Sequence, residues 1–145
     1  MTRMIFVNLP VADLDRAVAF YKAVGAEQNM QFTDETAAMM VFSDAIHVML
    51  LTHDKFRQFT SKRIADARET VEVLLAISAD SRAAVDEITA KALAAGGRET
   101  RPADDHGWMY ARSFEDLDGH VWEPVWMDVA AATQAMSGQA AAAEA

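Results

Sequence analysis

The strongest constraint on the fold of this chain is a repeated order of elements in its two halves. Apolar runs, turn signals and helical spacing predict the order strand, helix, strand, strand, strand within residues 4–51, and the same order again within residues 69–128. The halves share few residues, so the repeat is one of element order. Each unit leaves one apolar sheet face uncovered and needs the other unit, or another subunit, to bury it.

The first half begins with a predicted strand at residues 4–9. Asp13 then provides an N-cap for a helix that Gly25 ends, because glycine accepts the backbone conformation found after a helix. Three further strands are predicted, at residues 26–33, 37–42 and 46–51.

A polar segment at residues 52–68 is interpreted as the connector. The second half is predicted to contain a strand at residues 71–77, a helix capped near Ser81 and ended by Gly96, and strands at residues 98–101, 108–114 and 121–126. We expect a loop to hold Asp104, Asp105 and His106. The Ala-rich tail at residues 129–145 predicts a short helix that fades into disorder.

Composition excludes several classes of function. The 145 residues carry a net charge of −9, which argues against a nucleic-acid binder, because such a protein needs basic residues to neutralise the phosphates. The absence of Cys excludes disulfides, thiolate zinc sites and cysteine nucleophiles. No apolar run reaches membrane-spanning length and the N-terminus has no signal-peptide pattern, so we expect a cytoplasmic protein.

The last predicted strand carries one ionisable group on an apolar face. Asp118 and Gly119 predict a tight turn, after which Val121, Glu123 and Val125 alternate onto the same face. If Glu123 points inward, its carboxylate needs a cation, a metal, an Arg or a ligand donor as partner. The alternative is that Glu123 faces water.

Two segments stand at opposite ends of the duplicated chain: residues 8–21, NLPVADLDRAVAFY, and residues 116–123, DLDGHVWE. The first resembles the strand-to-helix entry of the vicinal oxygen chelate superfamily, and the second is similar to that family's D-x-D-G-x-x-x-E ending. The superfamily includes glyoxalase I, bleomycin-resistance proteins and extradiol dioxygenases. The resemblance implies an α+β fold in one domain over residues 1–128, with two βαβββ modules whose mixed sheets curl around a cleft.

In the metal-using members of the superfamily, the first and last strand of each module supply the ligands. Carried onto this chain, the four positions fall on Phe6, Met49, Glu72 and Glu123. Phe6 cannot bind a metal, and Met49 is a poor ligand for a hard or borderline divalent ion. An altered site of His47, Glu72 and Glu123 would suit one divalent Ni, Zn, Mn, Co or Fe ion. Without a metal, Glu72 and Glu123 would repel each other, and one of them would be a candidate general base or ligand anchor.

Further ligand-binding candidates lie on the strands around the expected cleft. Asn8 shares a strand face with Phe6, and Trp108, Tyr110 and Arg112 form an aromatic face with a cation. Facing inward, this second group would hold a planar or anionic ligand. Alternatively, Trp108 and Tyr110 pack on a helix while Arg112 pairs with a surface acid. His106 lies over the cleft or is solvated.

Two functions remain open from the sequence. The first is a glyoxalase-like lyase or isomerase, or alternatively a dioxygenase, that uses a divalent metal held in part by Glu123. The second is a metal-free protein of the bleomycin-resistance type that sequesters a small molecule in the cleft. Phe6 and Met49 favour the second, whereas Glu72, Glu123 and His47 keep the first open. In either case we expect a homodimer that covers the exposed sheet edges or faces.

Overall fold

The structure, a computed structural model, describes the backbone of residues 2–144 and the side chains of residues 2–138. The first half contains β1 (Ile5–Val11), α1 (Leu14–Ala23), β2 (Glu27–Asn29), a 3-10 turn (Met30–Phe32), β3 (Ala37–Val41), β4 (Ile46–Thr52) and the short α2 (His53–Phe56). The second half contains β5 (Leu74–Ser78), α3 (Arg82–Ala94), β6 (Arg98–Asp105), β7 (Met109–Glu115), β8 (Val121–Met127) and α4 (Val129–Glu144).

The strands form two four-stranded sheets with the same topology. The first sheet has the order β1-β4-β3-β2 and the second the order β5-β8-β7-β6. In each sheet the first and last strands of the module pair in parallel, and the remaining pairs are antiparallel. The α+β fold of two βαβββ modules predicted from the repeated order is therefore confirmed.

Local signals in the sequence set the limits of both long helices. The Asp13 carboxylate accepts a hydrogen bond from the backbone N–H of Arg16 at 3.1 Å, and the Ser81 hydroxyl accepts one from the N–H of Ala84 at 3.0 Å. Gly25 and Gly96 follow the two helices with φ of 107° and 104°, a conformation that other residues adopt only with strain. The predicted caps are confirmed.

Several element limits differ from the sequence prediction. The predicted second strand is reduced to three residues and a 3-10 turn. β5 starts at Leu74, so Glu72 precedes it in an exposed bend. β6 continues to Asp105 because pairing with β7 extends to the hairpin at Gly107 (φ 80°), which places the expected loop residues Asp104 and Asp105 in a strand. The tail is helical through Glu144, in keeping with the high helix propensity of Ala.

A shared core lies on the helix-covered sides of the two sheets. Phe20 and Tyr21 of α1 join Val48 and Leu50 of the first sheet to Trp122 of the second, and all five side chains are almost fully buried. Because side chains alternate along a strand, the residues between these buried positions lie on the opposite side of each sheet, here called its open face. Within residues 2–144, no helix combines the length and the apolarity needed to cross a membrane.

Candidate functional site

The open face of the first sheet presents four of the predicted site residues side by side. Phe6 pairs in register with His47, and Asn8 with Met49. The rings of Phe6 and His47 are stacked, with centroids 4.7 Å apart and planes inclined by 21°. Phe6 is 45% exposed, and the buried Nδ1 of His47 has no hydrogen-bond partner within residues 2–138. This arrangement is an accessible aromatic platform beside a polar nitrogen that lacks a protein partner.

Glu123 lies on the open face of the second sheet, opposite Trp122, which is buried under the helices. Its side chain is 18% exposed, and its Oε1 lies 3.6 Å from Nη2 of Arg101 on β6. Arg101 also lies 3.9 Å from Asp104, whose Oδ1 is 3.0 Å from Nε2 of His106. The partner that an inward Glu123 requires is thus an arginine, and a line of charged groups connects it to the loop residue His106.

Tyr110 and Arg112 point away from this open face, toward α3. The Tyr110 hydroxyl donates a 2.6 Å hydrogen bond to Asp86 of α3, and the Arg112 guanidinium contacts the same carboxylate at 3.1 Å. Arg112 also pairs with Glu99 at 3.0 Å. Of the two arrangements left open by the sequence, helix packing with an acid partner is the observed one, so these residues do not form a cleft wall beside Glu123. Trp108 stacks on His106 with centroids 5.7 Å apart.

Arg82, which was not predicted as a site residue, is the cation that contacts Tyr110 on the side of the sheet covered by α3. The Arg82 guanidinium lies over the rings of Tyr110 and Trp126 at 4.9 and 5.5 Å. It donates two hydrogen bonds to Asp105, at 2.6 and 2.9 Å, and these bonds lower the pKa of Asp105 to about 2. The charges of Arg82 and Asp105 therefore already pair with each other within the protein.

The residues present do not fit a divalent metal. Phe6 and Met49 are adjacent on the first sheet, Glu72 lies outside the strands, and Glu123 on the second sheet faces Arg101. Within residues 2–138, no three His, Asp or Glu side chains converge closely enough to ligate one ion. The structure therefore does not bring together the altered ligand set of His47, Glu72 and Glu123.

The D-x-D-G turn around Asp118 joins the two modules. Buried Asp116 accepts hydrogen bonds from the Tyr21 hydroxyl at 2.5 Å and from the N–H groups of Asp118 and His120, both at 2.9 Å. Burial raises the pKa of Asp116, and burial followed by the Asp116 charge raises that of Tyr21 well above its ordinary value. Asp118 in turn accepts from the N–H of Ala12 at 2.9 Å. These carboxylates fix the turn against the first module; Asp116 is buried, whereas Asp118 is half-buried.

Asn8 of the open face also meets Glu72, a further predicted site residue, at the seam between the modules. Asn8 and Glu72 line one cavity of about 330 Å³, together with His120 and residues of the connector. His120 is held by a 2.8 Å contact between Nε2 and the carbonyl oxygen of Pro10.

Comparisons with known proteins agree with this topology. The family model of the Glyoxalase/Bleomycin resistance protein/Dioxygenase superfamily matches residues 3–123. A hypothetical protein of S. aureus has a similar structure (TM-score 0.73, 25% identity), with 87% of this chain and 94% of that chain covered. A family enzyme of Burkholderia phytofirmans is similar at TM-score 0.71 and 18% identity, over 87% of this chain and 99% of that one.

A bleomycin resistance determinant encoded on the transposon Tn5 has the same fold, with TM-score 0.62, 18% identity, and coverage of 88% of this chain and 99% of that chain. No curated protein matches the sequence at a significant level.

Proposed function

Because the chain belongs to the glyoxalase/bleomycin resistance protein/dioxygenase superfamily, we propose that it binds a small planar organic molecule on its open sheet faces without a metal. The observation that carries the proposal is the stack of exposed Phe6 on His47. Phe6 stands at a position where a metal-using relative would need a ligand. An aromatic platform of this kind binds the face of a planar ring and orders it with respect to nearby polar groups.

The polar and flexible groups next to the platform support a binding role. His47 Nδ1 has no protein partner within residues 2–138, and leaving a buried polar atom unpaired costs free energy that a ligand-induced rearrangement can recover. Met49 adjoins Asn8 on the same face, so a polarizable thioether and an amide flank the stacked rings. Methionine adapts its shape to different ligands, which suits a protein that sequesters molecules of varied outline.

The open face of the second sheet offers the ligand charged side chains rather than a bound metal. Arg101 supplies the cation for Glu123, so the carboxylate is already paired. A divalent ion would need several further oxygen or nitrogen ligands, which the described side chains around Glu123 do not provide. We therefore assign Glu123 the role of holding Arg101 in position toward the cleft, where the guanidinium can contact an acceptor group on the ligand.

We further propose that a second copy of the chain closes the cleft. Phe6, Leu74 and Met127 lie on the open faces and are 45%, 57% and 43% exposed, so each open face offers an apolar side chain to a partner. Pairing one copy's first sheet with the other copy's second sheet would place the aromatic platform opposite the Arg101–Glu123 pair. Sedimentation velocity is expected to give a dimer, and a strictly monomeric protein would contradict this part of the proposal.

A second candidate function is metal-independent acid–base catalysis. The observation that favours it is the 3.0 Å contact between His106 and Asp104, since a carboxylate that orients an imidazole is a common arrangement for a general base. The two functions differ in what happens to the ligand. A His106→Ala variant that still binds the ligand but no longer converts it would favour catalysis, whereas recovery of every ligand unchanged from the wild-type protein favours sequestration.

The binding proposal is tested with a panel of planar aromatic compounds in the presence of EDTA, measured by isothermal titration calorimetry. Replacing Phe6 with Leu removes the ring but keeps an apolar side chain, and it is expected to weaken binding about threefold to tenfold. Phe59→Leu is the matched control, because Phe59 is 69% exposed on the connector. Equal affinities for the two variants would contradict the proposed site.

A further inference from the structure

The connector carries a basic surface in a chain that is otherwise acidic. The protein has a net charge of −9, yet residues 52–68 contain two acids, Asp54 and Asp66, against five bases, Lys55, Arg57, Lys62, Arg63 and Arg68. Clustered charge of the opposite sign to the whole protein attracts ligands that the remaining surface repels.

Two adjoining cavities meet at this segment, at the seam between the modules. Asn8 and Val121 of the open faces reach the smaller cavity, whereas Phe6, His47 and Glu123 line neither of the two. The larger has a volume of about 630 Å³ and the smaller of about 330 Å³, and both are lined by Lys62, Arg63 and His120. The smaller cavity is mainly apolar, with Phe56 and Ile64 among the side chains around it. The cations therefore stand at the junction between an apolar cavity and a polar one.

Most charged groups around the larger cavity already have partners. Arg57 pairs with Asp54 at 2.9 Å, and Arg68 donates to the carbonyl oxygen of Leu117 at 2.9 Å. The carboxylates of Asp66 and Asp118 both accept backbone N–H groups, at 3.0 and 2.9 Å.

The two cations at the junction differ from these groups. Among the side chains of residues 2–138, no carboxylate lies within 4.0 Å of the charged groups of Lys62 or Arg63. Of the side chains that the structure describes, Glu72 is the one carboxylate that lines the smaller cavity, so the junction keeps an excess of positive charge.

We propose that these cavities form a second ligand site, which binds a small carboxylate with an apolar chain. The apolar chain lies in the smaller cavity, and its carboxylate pairs with Lys62 and Arg63 at the junction. The volume of about 330 Å³ is at the lower end of the range for small-molecule pockets, which suits a chain of modest length. The connector is thus a ligand-binding element as well as the link between modules.

Decanoate is the probe for this site, and calorimetry in the presence of EDTA measures its affinity. The double variant Lys62→Gln, Arg63→Gln is expected to bind decanoate about fivefold to tenfold more weakly, since two charge contacts are lost from a partly screened site. The matched control is Arg3→Gln, Lys22→Gln, which removes the same charges from exposed positions outside both cavities. Raising the salt concentration is expected to weaken binding to the wild type and to reduce the difference between the variants.

Three results would overturn the proposal: no decanoate binding to the wild type, equal affinities for the two double variants, or equal affinities of the wild type for decanoate and uncharged decanol. Thermal unfolding of each variant checks that its fold is intact, which is expected because all four residues are exposed. The Phe6→Leu variant separates this site from the aromatic platform, since it is expected to bind decanoate with wild-type affinity.

Discussion

The hydroxyl of Tyr21 donates a 2.5 Å hydrogen bond to the carboxylate of Asp116, 95 residues further along the chain. Trp122 Nε1 donates to the same hydroxyl at 2.9 Å, so one oxygen links the helix of the first module to the last strand of the second. Both Tyr21 and Trp122 are almost fully buried. This contact fixes how the two modules share their core, and therefore where their open faces lie.

Replacing Tyr21 with Phe is expected to destabilise the fold by about 1–3 kcal/mol, because it leaves a buried carboxylate oxygen and the Trp122 N–H without partners. The free energy of unfolding in urea measures this loss. Tyr110→Phe is the control, since its hydroxyl bonds Asp86 near solvent and its loss is expected to cost less. Equal losses for the two variants would show that the buried hydroxyl does not link the modules as described.

The raised pKa of Asp116 predicts a specific dependence of stability on pH. Burial raises this pKa above the ordinary value of 3.8, so the folded state binds the proton more tightly than the unfolded state does. Its contribution to stability is complete below the unfolded pKa and is lost as the pH rises through the folded pKa. The free energy of unfolding of the wild type minus that of Asp116→Asn is therefore expected to fall as the pH rises from about 4. A difference that stays constant or grows with pH would exclude a raised pKa.

Gly119 is expected to be the glycine that tolerates substitution least. Its φ is 93°, and an added Cβ would lie 2.7 Å from the backbone of Ala67 in the connector. Gly25 has a similar φ of 107° but open space around the Cβ position, so Gly25→Ala measures the backbone strain alone, about 1–2 kcal/mol. Gly119→Ala is expected to cost roughly 1–3 kcal/mol more by urea unfolding. Indistinguishable costs would mean that the connector does not pack on this turn.

Divalent Ni, Zn, Mn, Co and Fe(II) are expected to leave the unfolding temperature unchanged. A ligand present at one hundred times its Kd would stabilise the folded state by about 2.7 kcal/mol, so a genuine site would be readily detected. EDTA-treated protein provides the baseline. Stabilisation by any of these ions that disappears in Glu123→Ala would contradict the metal-independent account.

The features that could be predicted from the sequence are those set by local chemistry. Asp13 and Ser81 as caps, and Gly25 and Gly96 as helix ends, follow from side-chain oxygens and glycine conformation within a few residues. The two-residue period of a strand also predicts that Glu123 and Trp122 lie on opposite faces of the sheet. The repeated element order then gave the fold.

The features that could not be predicted depend on long-range pairing. The two-residue alternation of a strand places Tyr110 and Arg112 on the same face. It does not tell which face of the sheet a helix covers. No turn residue marks the start of β5, so Glu72 could not be placed outside it. Arg101 was not identified as the partner of Glu123 because β6 has register shifts on both sides of Arg101, which break the alternation that would have aligned them.

The central claim, metal-free binding on the open face of the first sheet, is tested most directly by NMR of protein labelled at the methionine methyl groups. The Met49 methyl lies beside Asn8 on this face, next to the Phe6–His47 stack. When the tightest planar aromatic compound of the panel is added in EDTA, the Met49 signal is expected to shift through the ring current of the ligand, and this shift should be lost in Phe6→Leu. A Met49 signal that stays in place while the compound binds, or binding that requires an added divalent metal, would contradict the account.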